Sequence, residues 1–204
     1  MDQATRQRIA AEQLGRLSAL AQAARPAGVV DHPTLADEVA GVRTKYLAHI
    51  DHDLQALFPA YRHHRRPSPR LLAALGADLP YDGDCYRNLD ALFEALLADV
   101  QGLTRADAWH DLLLIERAIA KTKIAPCVDE PRERVARRLR ALKPRRERSL
   151  ERDGVCFVWL TTDLISEFGY PGRDPRRARP LERTTCAAIY RRSRPATLET
   201  QWLE

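Results

Sequence analysis

The chain is poor in the residues that most catalytic and metal-binding motifs are built from. Its 204 residues include four cysteines, one methionine and nine glycines, with aromatics at 6%. Cys85, Cys127, Cys156 and Cys186 lie far apart with no C-x-x-C pair, which argues against a structural zinc site and a thioredoxin-like motif. In a reducing cytosol they read as small core-fillers. The scattered glycines form neither G-x-G-x-x-G nor G-x-x-x-x-G-K-[ST], so the sequence offers no phosphate cradle. Gly-x-Ser-x-Gly and Ser-x-x-Lys are also missing, and nothing in the sequence brings Cys127 and His110 together as a nucleophile–base pair. No apolar run approaches the roughly 18 to 20 residues of a membrane span. The start, Met1 to Arg6 (MDQATR), lacks the basic-then-apolar order of a signal peptide. A cytoplasmic protein is the expectation.

Against these absences stand a hydrophobic content of 45% and an uneven charge. Residues 1–130 hold 15 Lys/Arg against 18 Asp/Glu, a net of −3, while residues 131–204 hold 18 against 10, a net of +8. The positive charge therefore belongs to the C-terminal third and suits an acidic partner there.

Helical periodicity dominates the first part. Ile9, Leu14, Leu17 and Leu20 mark a helix over about 3–24, stopped by Arg25-Pro26. A second helix carries Leu35 to Leu54, with Thr34 and Asp37 in a capping arrangement, and ends near Phe58-Pro59. Ser68-Pro69 opens a short helix towards Gly76, as cap and first-turn proline. Further helices are expected over 87–100 and from Thr104 to Lys121, the latter with Asp107 in capping position. After Pro126 a basic helix runs from Pro131 to Leu142. Residues 148–152 and 155–161 then form a hairpin around Asp153-Gly154, a pair that readily takes the positive φ of a tight turn. Strands are expected over 184–191 and 197–203, with 169–180 a polar Pro/Arg-rich loop. The fold class is α+β: a helical N-terminal domain, 1–127, followed by a small basic domain with antiparallel strands, 128–204.

His49 and His52 lie three apart on a helix, with His63 and His64 following, but no H-E-x-x-H or Glu-x-x-His accompanies them. They read as exposed or helix-end histidines; a stand-alone metalloenzyme using them is the remote alternative. The Arg-rich segment 132–148 could follow a phosphate backbone, making a DNA-binding regulator the principal rival function. Glu130, Glu133, Glu147 and Glu151 interleave with those arginines, so a solvated or subunit-facing surface is the first expectation.

Two segments carry a family resemblance. Tyr46 to Arg62 (YLAHIDHDLQALFPAYR) resembles the "ALxxxFP" helix end of the HvfC-like family, and Ala106 to Pro126 (ADAWHDLLLIERAIAKTKIAP) resembles its "DLARLEWA…A" helix, with Glu116 at the family's Glu position. Arg117 stands where the wider family often has Trp. Short length and a basic, strand-bearing C-terminal part fit the MbnC-like branch, associated with methanobactin biosynthesis. The resemblance implies a heterodimer with an MbnB-like TIM-barrel iron enzyme. Such pairs use oxygen to convert cysteines of a ribosomal precursor peptide into oxazolone and thioamide groups, which later chelate copper. The iron belongs to the partner, so this chain is expected to hold no metal, no cofactor and no catalytic residue. Its implied task is to bind the leader peptide and present the core peptide. The expected peptide platform comprises Val155, Phe157, Trp159, Thr185, Ala187, Ile189 and Arg191, and the expected partner-docking residues are Trp109, His110, Leu113, Glu116 and Arg117.

Overall fold

A computed structural model describes residues 35–68, 71–72, 75, 85–143, 146–164, 174–193 and 197–202. The helix expected over 3–24 lies outside them. The chain divides into two compact units, Met1–His49 and Ile50–Glu204, so the boundary expected at residue 127 falls inside the second.

Helix α1 spans Leu35–Leu57 and buries Ile50, Leu54 and Leu57 in the second unit. Phe58 interrupts it, and Pro59 starts the six-residue helix α2, Pro59–His64. The Ser68 hydroxyl accepts the Leu71 N–H at 3.0 Å, the cap expected there. A single 3-10 turn, Cys85–Asn88, leads into helix α3, Leu89–Val100, which buries Leu89, Leu92, Phe93 and Leu96. Helix α4, Ala106–Ile124, is the central element of this unit. Its start differs from expectation: Arg105, with left-handed backbone (φ 63°), occupies the N-cap, and no side chain caps it. Asp107 instead lies in the first turn, 3.5 Å from Arg105 Nε. The basic helix α5 spans Arg132–Ala141, buries Val135 and Leu139 and turns its charged residues outward.

Four antiparallel strands follow in the order β1 (Ser149–Arg152), β2 (Val155–Thr162), β3 (Pro180–Arg191) and β4 (Leu198–Trp202). The β1–β2 turn is the expected one, Asp153 and Gly154 having φ values of 52° and 74°. Residues 155–160 are all buried, as in a strand covered on both faces. On one face Val155, Phe157 and Trp159, with Cys186, Ala188 and Tyr190, pack on Val135 and Leu139 of α5. Cys156 and Val158 lie on the other face, alongside Leu114 and Ala118 of α4. The fold class is therefore mixed α+β, with the described helices mostly preceding the sheet.

Two expectations need correction, one for a strand and one for a loop. β3 begins at Pro180 rather than 184, pairing Pro180 with Thr162 across an irregularity in β2. Within the loop expected over 169–180, Asp174 caps a 3-10 turn, Pro175–Arg177, and Pro175 and Ala178 are buried.

Candidate functional site

Helix α4 is fastened to its surroundings by two carboxylates that the chain buries completely. Asp111, fully buried, accepts the backbone N–H groups of Thr161 and Thr162, each at 2.8 Å, and the Thr162 hydroxyl at 2.7 Å. Successive N–H groups of a regular strand point in opposite directions; the irregularity between Leu160 and Thr162 lets two neighbours converge on one oxygen. Arg148 completes the site with a guanidinium bond to the other Asp111 oxygen. The same guanidinium donates to the Trp159 carbonyl at 3.1 Å, while the Arg148 carbonyl accepts the Trp159 N–H at 2.9 Å. His110 stands beside this pair, its Nδ1 lying 3.4 Å from Arg148. Burial lowers the His110 pKa and the Arg148 charge lowers it further, so the ring is neutral at pH 7.

Glu116, 1% exposed, is the second anchor. Its carboxylate accepts the N–H groups of Ala60 (2.6 Å) and Tyr61 (3.0 Å) at the start of α2. No side chain of α2's own N-terminus caps those donors, so a residue remote in sequence does. Trp109 and Leu113 are interior as well, Trp109 meeting Tyr61 edge-on at 5.9 Å. Of the five expected docking residues, His110 and Arg117 alone retain partial exposure. Arg117 bonds Asp90 at 2.8 Å and lays its guanidinium over Phe93, 4.4 Å from the ring centre.

The expected peptide platform occupies the middle of the sheet. Val155, Phe157, Trp159, Ala187 and Ile189 are buried, and Thr185 is partly so. Arg191 is partly exposed and donates to the Lys123 carbonyl at 3.0 Å. β2 is flanked by β1 and β3, whereas β4 covers β3 only over 187–191, so among the described residues the open strand edges are β1, β4 and the 180–186 part of β3. Hydrogen-bonded and non-bonded pairs alternate along an antiparallel ladder. Because Arg148 bonds inward to Trp159, Leu150 does too, and Ser149 and Glu151 present their main-chain groups to the outside. At β4, the inward bond from Arg192 to Thr197 leaves Leu198 and Thr200 facing outward in the same way.

The two edges have different surroundings. Along β1 runs a shallow cleft whose other wall is one stripe of α4, Leu114, Arg117, Ala118 and Lys121. Ser149 and Glu151 form its strand side, and Cys156 and Val158 lie at its base. Lys121 spans the rim, its ammonium 3.6 Å from Asp90 and 3.4 Å from Glu151. Burial alone would raise the Asp90 pKa, but the Arg117 hydrogen bond and the two cations outweigh it and hold the carboxyl ionised. Burial pushes the Cys156 thiol up to about 12, which removes it as a nucleophile at neutral pH. Cys186 is likewise near 12 and, opposing Trp159 three register places away from Cys156, faces the other side of the sheet.

Sequence reasoning missed Lys121, Ser149, Glu151 and Asp111. An Asp directly before the apolar run Leu112 to Ile115 of the helix was the available signal for the last.

Of the histidines, His52 and His63 are exposed, and His63 and His64 stack edge-on at 4.9 Å. Among the described residues no three His, Cys, Asp or Glu converge as metal ligands, and no helix is long and apolar enough to cross a membrane. No family model, curated protein or solved structure matches the chain.

Proposed function

We propose that this chain is the non-catalytic subunit of an iron-dependent, peptide-modifying oxidase, and that it holds the leader of a ribosomal precursor peptide as an extra strand on β1. The observation that carries the reading is the cleft between α4 and the outward-facing edge of β1. An extended peptide bound there gains main-chain hydrogen bonds from Ser149 and Glu151, and its alternate side chains meet the helix stripe. Arg117 and Lys121 sit where acidic side chains of a leader are drawn in. The resemblance to the HvfC-like family supplies the rest: an MbnB-like TIM-barrel enzyme as partner, iron and oxygen chemistry in that partner, cysteine-derived oxazolone and thioamide as product, and a cytoplasmic setting. In this reading the interior residues of α4 keep the cleft in shape, and the enzyme docks on surfaces outside it.

The test is co-expression with an MbnB-like enzyme, followed by size exclusion and metal analysis of the peak. A one-to-one complex that contains iron, with this chain alone free of metal, is the expected result. A chain that elutes as a monomer and ignores the enzyme sinks the proposal. Glu151→Pro then addresses the peptide. Proline removes an outward N–H and no ladder bond, so the fold survives and leader binding is lost, while Glu151→Gln keeps it. Loss of binding in Thr200→Pro but not in Glu151→Pro moves the added strand to β4.

A further inference from the structure

We infer that Arg137, Arg140, Lys143 and Arg146 form a cationic ridge that docks the phosphate backbone of a nucleic acid. The tertiary structure separates the basic segment into cations it uses internally and cations it leaves over. Arg132 pairs with Glu199 at 2.9 Å, Arg134 with Glu130 at 3.6 Å, and Arg138 with Glu130 at 2.8 Å. Arg148 is held by Asp111, and Arg152 lies 3.5 Å from Asp153. Arg145 lies outside the described residues; the remaining four, at intervals of three residues, are all exposed, and among the described residues none has a carboxylate within 4.0 Å.

Their placement follows from the helix. Val135 and Leu139 are fully buried against the sheet, and Arg137, two residues from each, is carried about 200° round to the solvent side. Arg140 follows less than one turn later, and Lys143 and Arg146, exposed as well, come soon after the helix end in sequence. The helix dipole accounts for cations in the last turn, where Arg138 and Arg140 lie, but not for the two beyond it. Four neighbouring like charges repel one another, so the row does nothing for stability.

The chemistry of the row favours phosphodiester over protein. A protein interface is anchored by desolvated aromatic or aliphatic side chains, and between these cations, among the described residues, the one exposed apolar residue is Ala141. A phosphate backbone needs no such anchor, and guanidinium forks match its oxygens. Helix α5 lies across the sheet from the α4–β1 cleft, so Arg137 and Arg140 stand on a second surface, away from the proposed peptide site.

The test is fluorescence anisotropy of the full chain with a labelled short duplex DNA and a labelled RNA hairpin, the two arms distinguishing the source of the backbone. With four phosphates contacted, log K should fall against log salt with a slope of roughly −3.6, a loss of ~150-fold between about 50 and about 200 mM. Arg137→Glu/Arg140→Glu, whose melting temperature should match the parent because both sites are solvated, should reduce that slope by about half or more. The comparison variant Arg177→Glu/Arg183→Glu makes the same charge change at exposed positions elsewhere and should retain binding. Equal loss in both variants overturns the ridge in favour of bulk charge. Failure to bind either probe at low salt overturns the proposal outright. Ridge-dependent binding of polyglutamate with neither nucleic acid bound overturns it in favour of an acidic protein partner.

Discussion

Replacing Asp111 by alanine should be among the most damaging single changes in this chain. The carboxylate is fully buried and accepts bonds from the Arg148 guanidinium, two strand N–H groups and the Thr162 hydroxyl. Truncation leaves a partly buried cation without its counter-charge and two N–H groups facing a void. Breaking such a pair costs about 3–5 kcal/mol. For a unit of this size each kcal/mol moves the melting temperature by about 2–4 °C, so a fall of roughly 6–20 °C is expected. Asp111→Asn should lie between parent and alanine, since an amide keeps one acceptor but loses the charge. The surface pair Arg62–Asp51, with side chains 26% and 35% exposed, provides the contrast: Asp51→Ala should cost less than about 1 kcal/mol. Urea titrations of the three variants measure these differences directly. An Asp111→Ala loss no larger than that of Asp51→Ala would refute the view that this carboxylate locks α4 to the end of β2.

Other outcomes are open to measurement. Gly154→Ala should destabilise by more than about 1 kcal/mol, because φ is 74° and the added Cβ meets the Pro126 carbonyl at 2.5 Å; a melting curve like the parent's counts against this. His110 has a depressed folded pKa, so the stability it contributes is fully present above its unfolded value of about 6.5 and is lost as pH falls through the folded one. The parent should therefore lose more stability than His110→Gln between pH about 7.5 and about 5; equal losses remove His110 as the cause. Arg117→Ala removes the Asp90 bond and the contact with Phe93, which should cost on the order of 1 kcal/mol and weaken leader binding at the cleft. Unchanged peptide affinity in that variant leaves Arg117 a purely structural residue.

Local chemistry decided much of this fold before any packing. The Asp153-Gly154 turn, the Ser68 cap, the continuous apolar run of β2 and the helical stripe of α4 each follow from a few neighbouring residues whose backbone preferences agree. The order of helices before strands, and hence the α+β class, follows from the same evidence. What tertiary structure decided was the role of each charged or apolar side chain. Glu116 is interior because α2, lacking a local cap, takes its acceptor from α4, Trp109 because it packs edge-on against Tyr61, and Asp111 because an irregular strand end offers it two N–H groups. Residues of β2 and β3 suit a peptide platform by sequence, and among the described residues the open hydrogen-bonding groups lie on β1, on β4 and on the 180–186 part of β3 that β4 leaves uncovered. Strand order depends on contacts between residues far apart in sequence, which no local pattern encodes. The basic segment makes the same point: its arginines look alike in sequence, and only the positions of Glu130, Glu199 and Asp153 in space distinguish those that are paired from those left to solvent.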